Sequence, residues 1–206
     1  MSRSDSLRLE RLAIGELEGV DLNLVPGEIL CLSGESGSGK SRLLRAIADL
    51  EPHDGEVWLG ERAQSAIPGH AWRRAVMLVP AESHWWAEGV GEHMPHVAPA
   101  DLEALGLSPK VLDWPVVRLS SGEKQRLALL RAVAREPQAL LLDEPTANLD
   151  AATASRVEVW LTERIRQRGW PAVWVAHDMA QIGRVADRHC RIEQGRLVEE
   201  GQAAWT

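Results

Sequence analysis

The most constraining feature of this chain is an apolar run, Ile29 to Ser33, that leads straight into Gly34-Glu35-Ser36-Gly37-Ser38-Gly39-Lys40-Ser41. After this loop Leu43, Leu44, Ile47 and Leu50 recur at helical spacing. A buried strand, a glycine-rich loop and a helix in immediate succession form the setting in which G-x-x-x-x-G-K-[ST] binds phosphate. Glycines let the backbone curl so that successive N–H groups point at phosphate oxygens. The helix starting near Gly39 aims the positive end of its dipole at the same place. Lys40 supplies a point charge to the β and γ phosphates, and the Ser41 hydroxyl is a hard oxygen ligand for Mg²⁺. Arg42, the next residue, is counted with the nucleotide-binding set.

Leu140-Leu141-Leu142 precedes Asp143 and Glu144. The apolar run buries a strand and places both carboxylates at its C-terminal edge, where ligands of open α/β sheets bind. Asp143 is read as a Mg²⁺ holder, through water. Glu144 is read as the group that orients or deprotonates an attacking water. Taken alone, the pair also reads as a solvated acidic turn before Pro145.

Elsewhere the pattern alternates. Leu7 and Leu9, then Val20, Leu22 and Leu24, have strand period, as do Gly55 to Gly60 and Val76 to Val79. Ala139 to Leu142 and Val173 to Ala176 read as buried strands, with a helix from about Ala154 to Arg168 between them. Cys190 to Glu199, with Gln194-Gly195 in the middle, reads as a hairpin. The expected fold is α/β: a three-layer P-loop core with a mainly parallel sheet and an antiparallel edge. From Glu82 to about Arg118, Pro95, Pro99, Pro109 and Pro115 punctuate a small inserted lobe with short helical pieces such as Asp101 to Leu105. With the helix after it, this helical subdomain spans about 82–135 of a single domain, 1–206.

Leu119-Ser120-Ser121-Gly122-Glu123 opens that helix, which shows Leu127, Leu130 and Ala134 on one face. Ser120 can cap it and Glu123 sits where a capping box closes. A serine-glycine helix start is also a second anion site. Two phosphate sites in different lobes suggest two copies sharing nucleotides.

The run Leu119-Ser-Ser-Gly-Glu-Lys-Gln-Arg126, with Leu140 to Thr146, Asn148-Leu149-Asp150 and His177-Asp178, resembles the nucleotide-binding subunits of ABC transporters. The likeness extends from about Leu7 to Gly201. It implies an ATPase that works as a head-to-tail homodimer around two Mg-ATP. Ser120, Ser121, Gly122 and Glu123 of one copy would cover ATP held by the other. His177 matches the histidine that touches the γ-phosphate, and Asp150 the loop that couples the two sites. The resemblance also implies a separate integral membrane subunit and a place in the cytoplasm, on the inner face of the membrane. A monomer is expected without nucleotide. A soluble ATPase acting on ribosomes or DNA and a regulator that no longer hydrolyses are the other readings.

Three departures follow. Where the family has a Gln after Val79-Pro80, this chain has Ala81 and then Glu82. Glu82 is read either as a replacement oxygen ligand for the metal or as an exposed loop carboxylate. No aromatic lies between Leu7 and Gly19, so Leu12 or Ile14 is expected to cover the adenine, with weakened preference for ATP over GTP. The lobe is short for the family, and it carries Trp85-Trp86, of which one is expected to be exposed in a docking groove or both to serve the core.

Composition narrows the rest. A net charge of −7 argues against a nucleic-acid partner. Cys31 and Cys190 form no disulfide or zinc pattern. No stretch is long and apolar enough to cross a bilayer, and the polar start, Met1 to Asp5, has no leader-like apolar run after it. Nine Trp stand against no Phe and no Tyr, so Trp supplies all large aromatic packing.

Overall fold

The structure, a computed structural model, describes residues 5–94 and 97–201. The readings made for Met1 to Ser4 and for Pro95 lie outside the described residues. In chain order the elements begin with β1 (Leu7–Ile14), β2 (Leu17–Leu24), β3 (Ile29–Gly34), α1 (Lys40–Ile47) and β4 (Asp54–Leu59). They continue with β5 (Arg62–Ala63), α2 (Gly69–Ala75), β6 (Val76–Val79), α3 (Pro99–Ala104), α4 (Ser121–Val133) and β7 (Ala139–Asp143). Last come α5 (Ala151–Arg168), β8 (Ala172–Val175), α6 (Met179–Val185), β9 (Arg188–Glu193) and β10 (Arg196–Glu200).

Two sheets form. The larger has the order β10-β9-β3-β8-β7-β6; β10 pairs antiparallel with β9 and all other neighbours are parallel. The smaller, β2-β1-β4-β5, is antiparallel. β3, β7 and β8 are apolar at nearly every position because both their faces are covered. Their side chains alternate between two cores: Leu30, Leu32, Leu141, Val173 and Val175 pack with α1 and the antiparallel sheet, and Ile29, Cys31, Leu140, Leu142 and Trp174 pack with α4, α5 and the inserted lobe. This period-two split makes the three layers, and it brings the ends of β3, β7 and β8 to one edge.

β1 contains a bulge. Its register shifts between Leu9 and Leu12, where Arg11 takes φ 49°. The extra residue resets the alternation, so Leu12 and Ile14 point into the same core as Leu7 and Leu9. α1 is shorter than its apolar spacing suggests: it ends at Ile47, and Leu50 is exposed. α5 starts at Ala151, capped by the Asp150 carboxylate, which accepts from the Thr153 N–H at 3.0 Å. The β9–β10 hairpin turns through Gln194 and Gly195, both at positive φ.

Two short helices have no counterpart in the sequence reading. α2 buries only Trp72, whose indole N–H donates to the Ile47 carbonyl at 2.8 Å. α6 buries Ile182 and Val185 and is capped by Asp178. Between β6 and α4 the chain forms α3 and 3₁₀ turns at Gly91–His93, Pro109–Asp113 and Val116–Arg118. Pro99 and Pro109 sit at helix starts, where a missing N–H costs nothing.

Candidate functional site

β3 ends at Gly34, φ 145°, where a Cβ would stand 2.8 Å from the Ile192 carbonyl oxygen and 2.8 Å from the Ser38 hydroxyl. Only glycine fits there. Gly37 and Gly39 also take positive φ, and α1 begins immediately after. Lys40 is almost wholly buried under the loop, and its Nζ donates to the Gly34 and Glu35 carbonyls at 2.8 and 2.9 Å. Glu35, Ser36 and Gly37 are exposed. Burial lowers the Lys40 pKa from the usual lysine value, while the carboxylates of Glu144 and Asp143 pull it back up. Lys40 therefore belongs electrostatically with the acidic pair. The Ser38 hydroxyl is buried and has no hydrogen-bond partner. Arg42 points elsewhere: it pairs with Glu51 at 2.7 Å and its guanidinium lies against Gly15.

β7 delivers Asp143, buried, and the chain then turns through Glu144 at φ 49°. A glutamate in the left-handed region stores about 1–3 kcal/mol of strain, which the fold holds in place. Asp143 stands opposite Val175 in the parallel register, so His177, just beyond β8, arrives beside Glu144. The His177 Nε2 and Glu144 Oε1 are 2.8 Å apart, both partly open to solvent. This contact sets a carboxylate against an imidazole at the C-terminal edge of the sheet.

Behind it lies a network that the sequence reading did not anticipate. Gln181 on α6 donates to the Thr146 hydroxyl at 2.6 Å and to Glu158 on α5 at 2.8 Å. Glu158 is buried and receives Arg184 as well, at 2.8 and 3.0 Å. A cleft beside it is lined by Glu144, Thr146, Glu158, His177 and Gln181.

The serine-glycine loop forms the expected capping box. The Ser120 hydroxyl accepts from the Glu123 N–H at 3.3 Å, and the Glu123 carboxylate receives the Ser120 N–H at 2.9 Å and hydroxyl at 2.7 Å. Those two donors, the N–H first, hold Glu123 below the usual carboxylate range. Ser120 and Ser121 are exposed. Gly122 packs so closely on Leu149 that a Cβ would stand 3.2 Å from its Cδ2. The loop thus rests against the segment leading to Asp150, whose carboxyl is lowered by its bonds to Thr153. Among the described residues no hydrogen bond joins Ser120, Ser121 or Gly122 to the phosphate loop.

The stand-ins for the missing family residues fare unequally. Leu12 and Ile14 are core residues, so the expectation that either covers the adenine is wrong; the β1 bulge turns them inward. Glu82 is exposed in the loop after β6. The tryptophans divide: Trp85 is half-buried, with its N–H on the Ser83 hydroxyl, and Trp86 is 67% exposed. Both stand edge-on to His93, with the Arg131 guanidinium over each.

A family model described as ABC transporter matches residues 17–147. The aliphatic sulfonates import ATP-binding protein SsuB of Cupriavidus necator is 38% identical, over 91% of this chain and 64% of that protein. SsuB 1 of Pseudomonas fluorescens is 38% identical, over 94% and 74%. The Fe(3+) ions import ATP-binding protein FbpC of Streptomyces avermitilis is 36% identical, over 90% and 57%. The chain thus spans less than two thirds of the length of two of these relatives. A solved bacterial Atm1-family ABC exporter with ATP bound superposes with TM-score 0.84 over 98% of this chain and 39% of that one, at 23% identity, which speaks for the fold. With the phosphate loop, the acidic strand end and the serine-glycine helix start in these places, the chain belongs to the ABC transporter family of ATP-binding subunits.

Proposed function

We propose that this chain binds and hydrolyses ATP as the motor subunit of a transporter, pairs head to tail with a second copy around two nucleotides, and drives a separate membrane subunit. The observation that carries this reading is the 2.8 Å contact between Glu144 and His177, beside a lysine buried under a phosphate-binding loop. In it, Lys40 exchanges its two loop carbonyls for the β and γ phosphates. The loop N–H groups and the unpartnered Ser38 hydroxyl supply further donors to the triphosphate. Glu144 accepts the proton of the water that attacks the γ-phosphorus, ADP leaves, and His177 holds the Glu144 carboxylate in line and touches the transferred group.

The donor set fits Mg²⁺. Ser41, Asp143 and Glu82 offer hard oxygens, and Mg²⁺ is held by one or two carboxylates together with phosphate and water. The Ser41 hydroxyl and the Asp143 carboxylate would hold it, with Glu82 as a third oxygen. When bound it neutralises charge on the β and γ phosphate oxygens.

Ser120, Ser121 and Gly122 are exposed or half-exposed at the start of a thirteen-residue helix; the Ser120 N–H is held by Glu123, and the N–H groups of Ser121 and Gly122 face the γ-phosphate of a second copy in this reading. Glu123 and Asp150 act from beneath, by fixing the two loops that meet there. We assign residues 82–135 to a helical subdomain within the one domain. No helix among the described residues is long and apolar enough to cross a membrane. In this reading the chain works at the cytoplasmic face, held by its membrane subunit.

Glu144→Gln tests the proposal. Turnover should fall by about 10²–10⁴, and the variant should accumulate as an ATP-bound dimer in light scattering. Unchanged turnover, or a stable dimer without nucleotide, sinks it.

A further inference from the structure

The first strand offers a nucleobase no cover. No aromatic lies between Leu7 and Gly19, and Leu12 and Ile14 are in the core. Lys40 feels the charges of Glu144 and Asp143, which stand at the end of β7. In the order β10-β9-β3-β8-β7-β6 that end lies on the β8 side of β3. A triphosphate whose γ end meets Glu144 therefore carries its nucleoside across the phosphate loop to the opposite side, that of β9. There Gly34 packs on Ile192 of β9. Just beyond, the β9–β10 turn holds the turn between β1 and β2. The Glu18 N–H donates to the Gly195 carbonyl at 3.1 Å, and a Cβ on Gly195 would run into the Glu16 carbonyl.

One side chain reaches this corner from the first turn of α1. The Arg42 guanidinium lies against Gly15, φ 63°, where a Cβ would collide with it. Glycine lets the turn and the guanidinium come this close. The Arg42 Nε donates to one Glu51 oxygen at 2.7 Å, and Arg45 donates to the other at 3.1 Å. Hydrogen bonds to a guanidinium lie in its plane, so Glu51 fixes an edge and leaves the π face for a ring. The Arg42 side chain is half open to solvent.

We propose that the Arg42 guanidinium is the platform on which the nucleobase stacks, and that it favours purines by ring area without telling adenine from guanine. The inference rests on the ATP-binding reading of the loop and adds how the base is held. A planar, delocalised cation stacks on a ring face, and a lysine at the same place offers a point charge with no face. Stacking tolerates any base, because every base has a π face. Singling out guanine takes donors aimed at its O6 and N7, and the Arg42 edge is engaged by Glu51 instead.

The test is calorimetric titration of the full chain with ATP, GTP, CTP and inorganic tripolyphosphate, which has no base. The quantity read is the ratio of ATP affinity to tripolyphosphate affinity, which a partly misfolded sample does not change. In the wild type, ATP and GTP should bind within about threefold of each other and CTP more weakly. Arg42→Ala should lower the ratio about tenfold or more. Arg42→Tyr should restore it and Arg42→Lys should not. A ratio that Arg42→Ala leaves unchanged, because both ligands weaken equally or neither does, would overturn the inference. So would a ratio that Arg42→Lys restores as fully as Arg42→Tyr, or a wild type that prefers ATP to GTP by about a hundredfold. A wild type that binds neither ATP nor tripolyphosphate takes down the motor reading as well, whereas a ratio indifferent to Arg42 takes down this inference alone.

Discussion

Removing Arg184 and neutralising Glu158 break the same ion pair, yet the two changes should differ about threefold in cost. The Glu158 side chain is 4% exposed and the Arg184 side chain 50%. Arg184→Ala strips two charge-assisted hydrogen bonds, 2.8 and 3.0 Å, from a buried carboxylate and leaves it only the Gln181 amide. Such an under-served buried charge costs about 3 kcal/mol. Glu158→Gln keeps the shape and one acceptor, and the arginine, already half in water, is simply released; the cost is about 1 kcal/mol. For a domain of this size each kcal/mol lowers Tm by about 2–4 °C. Thermal unfolding should therefore show a drop of about 6–12 °C for Arg184→Ala and about 2–4 °C for Glu158→Gln. Equal drops, or a larger one for Glu158→Gln, would refute the claim that burial asymmetry sets the cost. Because Gln181 bridges Glu158 to Thr146, two residues past Glu144, both variants should also lower kcat more than they raise KM.

Gly34→Ala forces a Cβ to within 2.8 Å of the Ile192 carbonyl at φ 145°, so it should cost about 1–3 kcal/mol and abolish nucleotide binding in a titration. Ser120→Ala removes the helix cap and should cost about 1 kcal/mol in urea unfolding at neutral pH. Glu123 has its pKa lowered in the folded chain, so its contribution is present above the unfolded value and is lost as pH falls through the folded one. The gap between wild type and Ser120→Ala should accordingly narrow below about pH 4. The Cys190 thiol is raised to about 11 and the Cys31 thiol higher still, both by burial, so a thiol reagent at pH 8 should label neither in the folded chain and both in guanidinium.

What could be read from the chain follows the range of the interactions involved. The phosphate loop is local: glycine spacing, Lys40 and the flanking apolar runs all fall within about twenty residues, and the structure has the strand, loop and helix in that order, with the helix ending before Leu50. The strand ending at Asp143 is legible because burial on both faces leaves an unbroken apolar run. Leu12 and Ile14 turn into the core because one residue, Arg11, shifts strand parity, and alternation alone does not mark a bulge. α2 and α6 are not legible in the sequence, because seven residues burying one or two side chains leave no periodic signal. The Glu158–Arg184–Gln181–Thr146 network was invisible for another reason. Its members are ordinary helix-surface types, and only the packing of α6 on α5 makes Glu158 a buried charge.

These contacts share a logic that bears on how the chain rests. Lys40 spends its donors on the Gly34 and Glu35 carbonyls, Ser120 and Glu123 satisfy each other, and His177 holds Glu144. These groups, all with a role in the proposed shared site, are thus satisfied within their own copy. The conspicuous exception is the Ser38 hydroxyl, buried in the phosphate loop without a partner. A chain so self-satisfied gains little by pairing while empty, and its net charge of −7 opposes association of two copies. Under the proposed head-to-tail pairing, triphosphate alters that balance at one point: it displaces the Lys40 carbonyl bonds and presents anionic oxygens to the N-terminus of α4 in another molecule. On that proposal association is a consequence of substrate, and hydrolysis removes its cause.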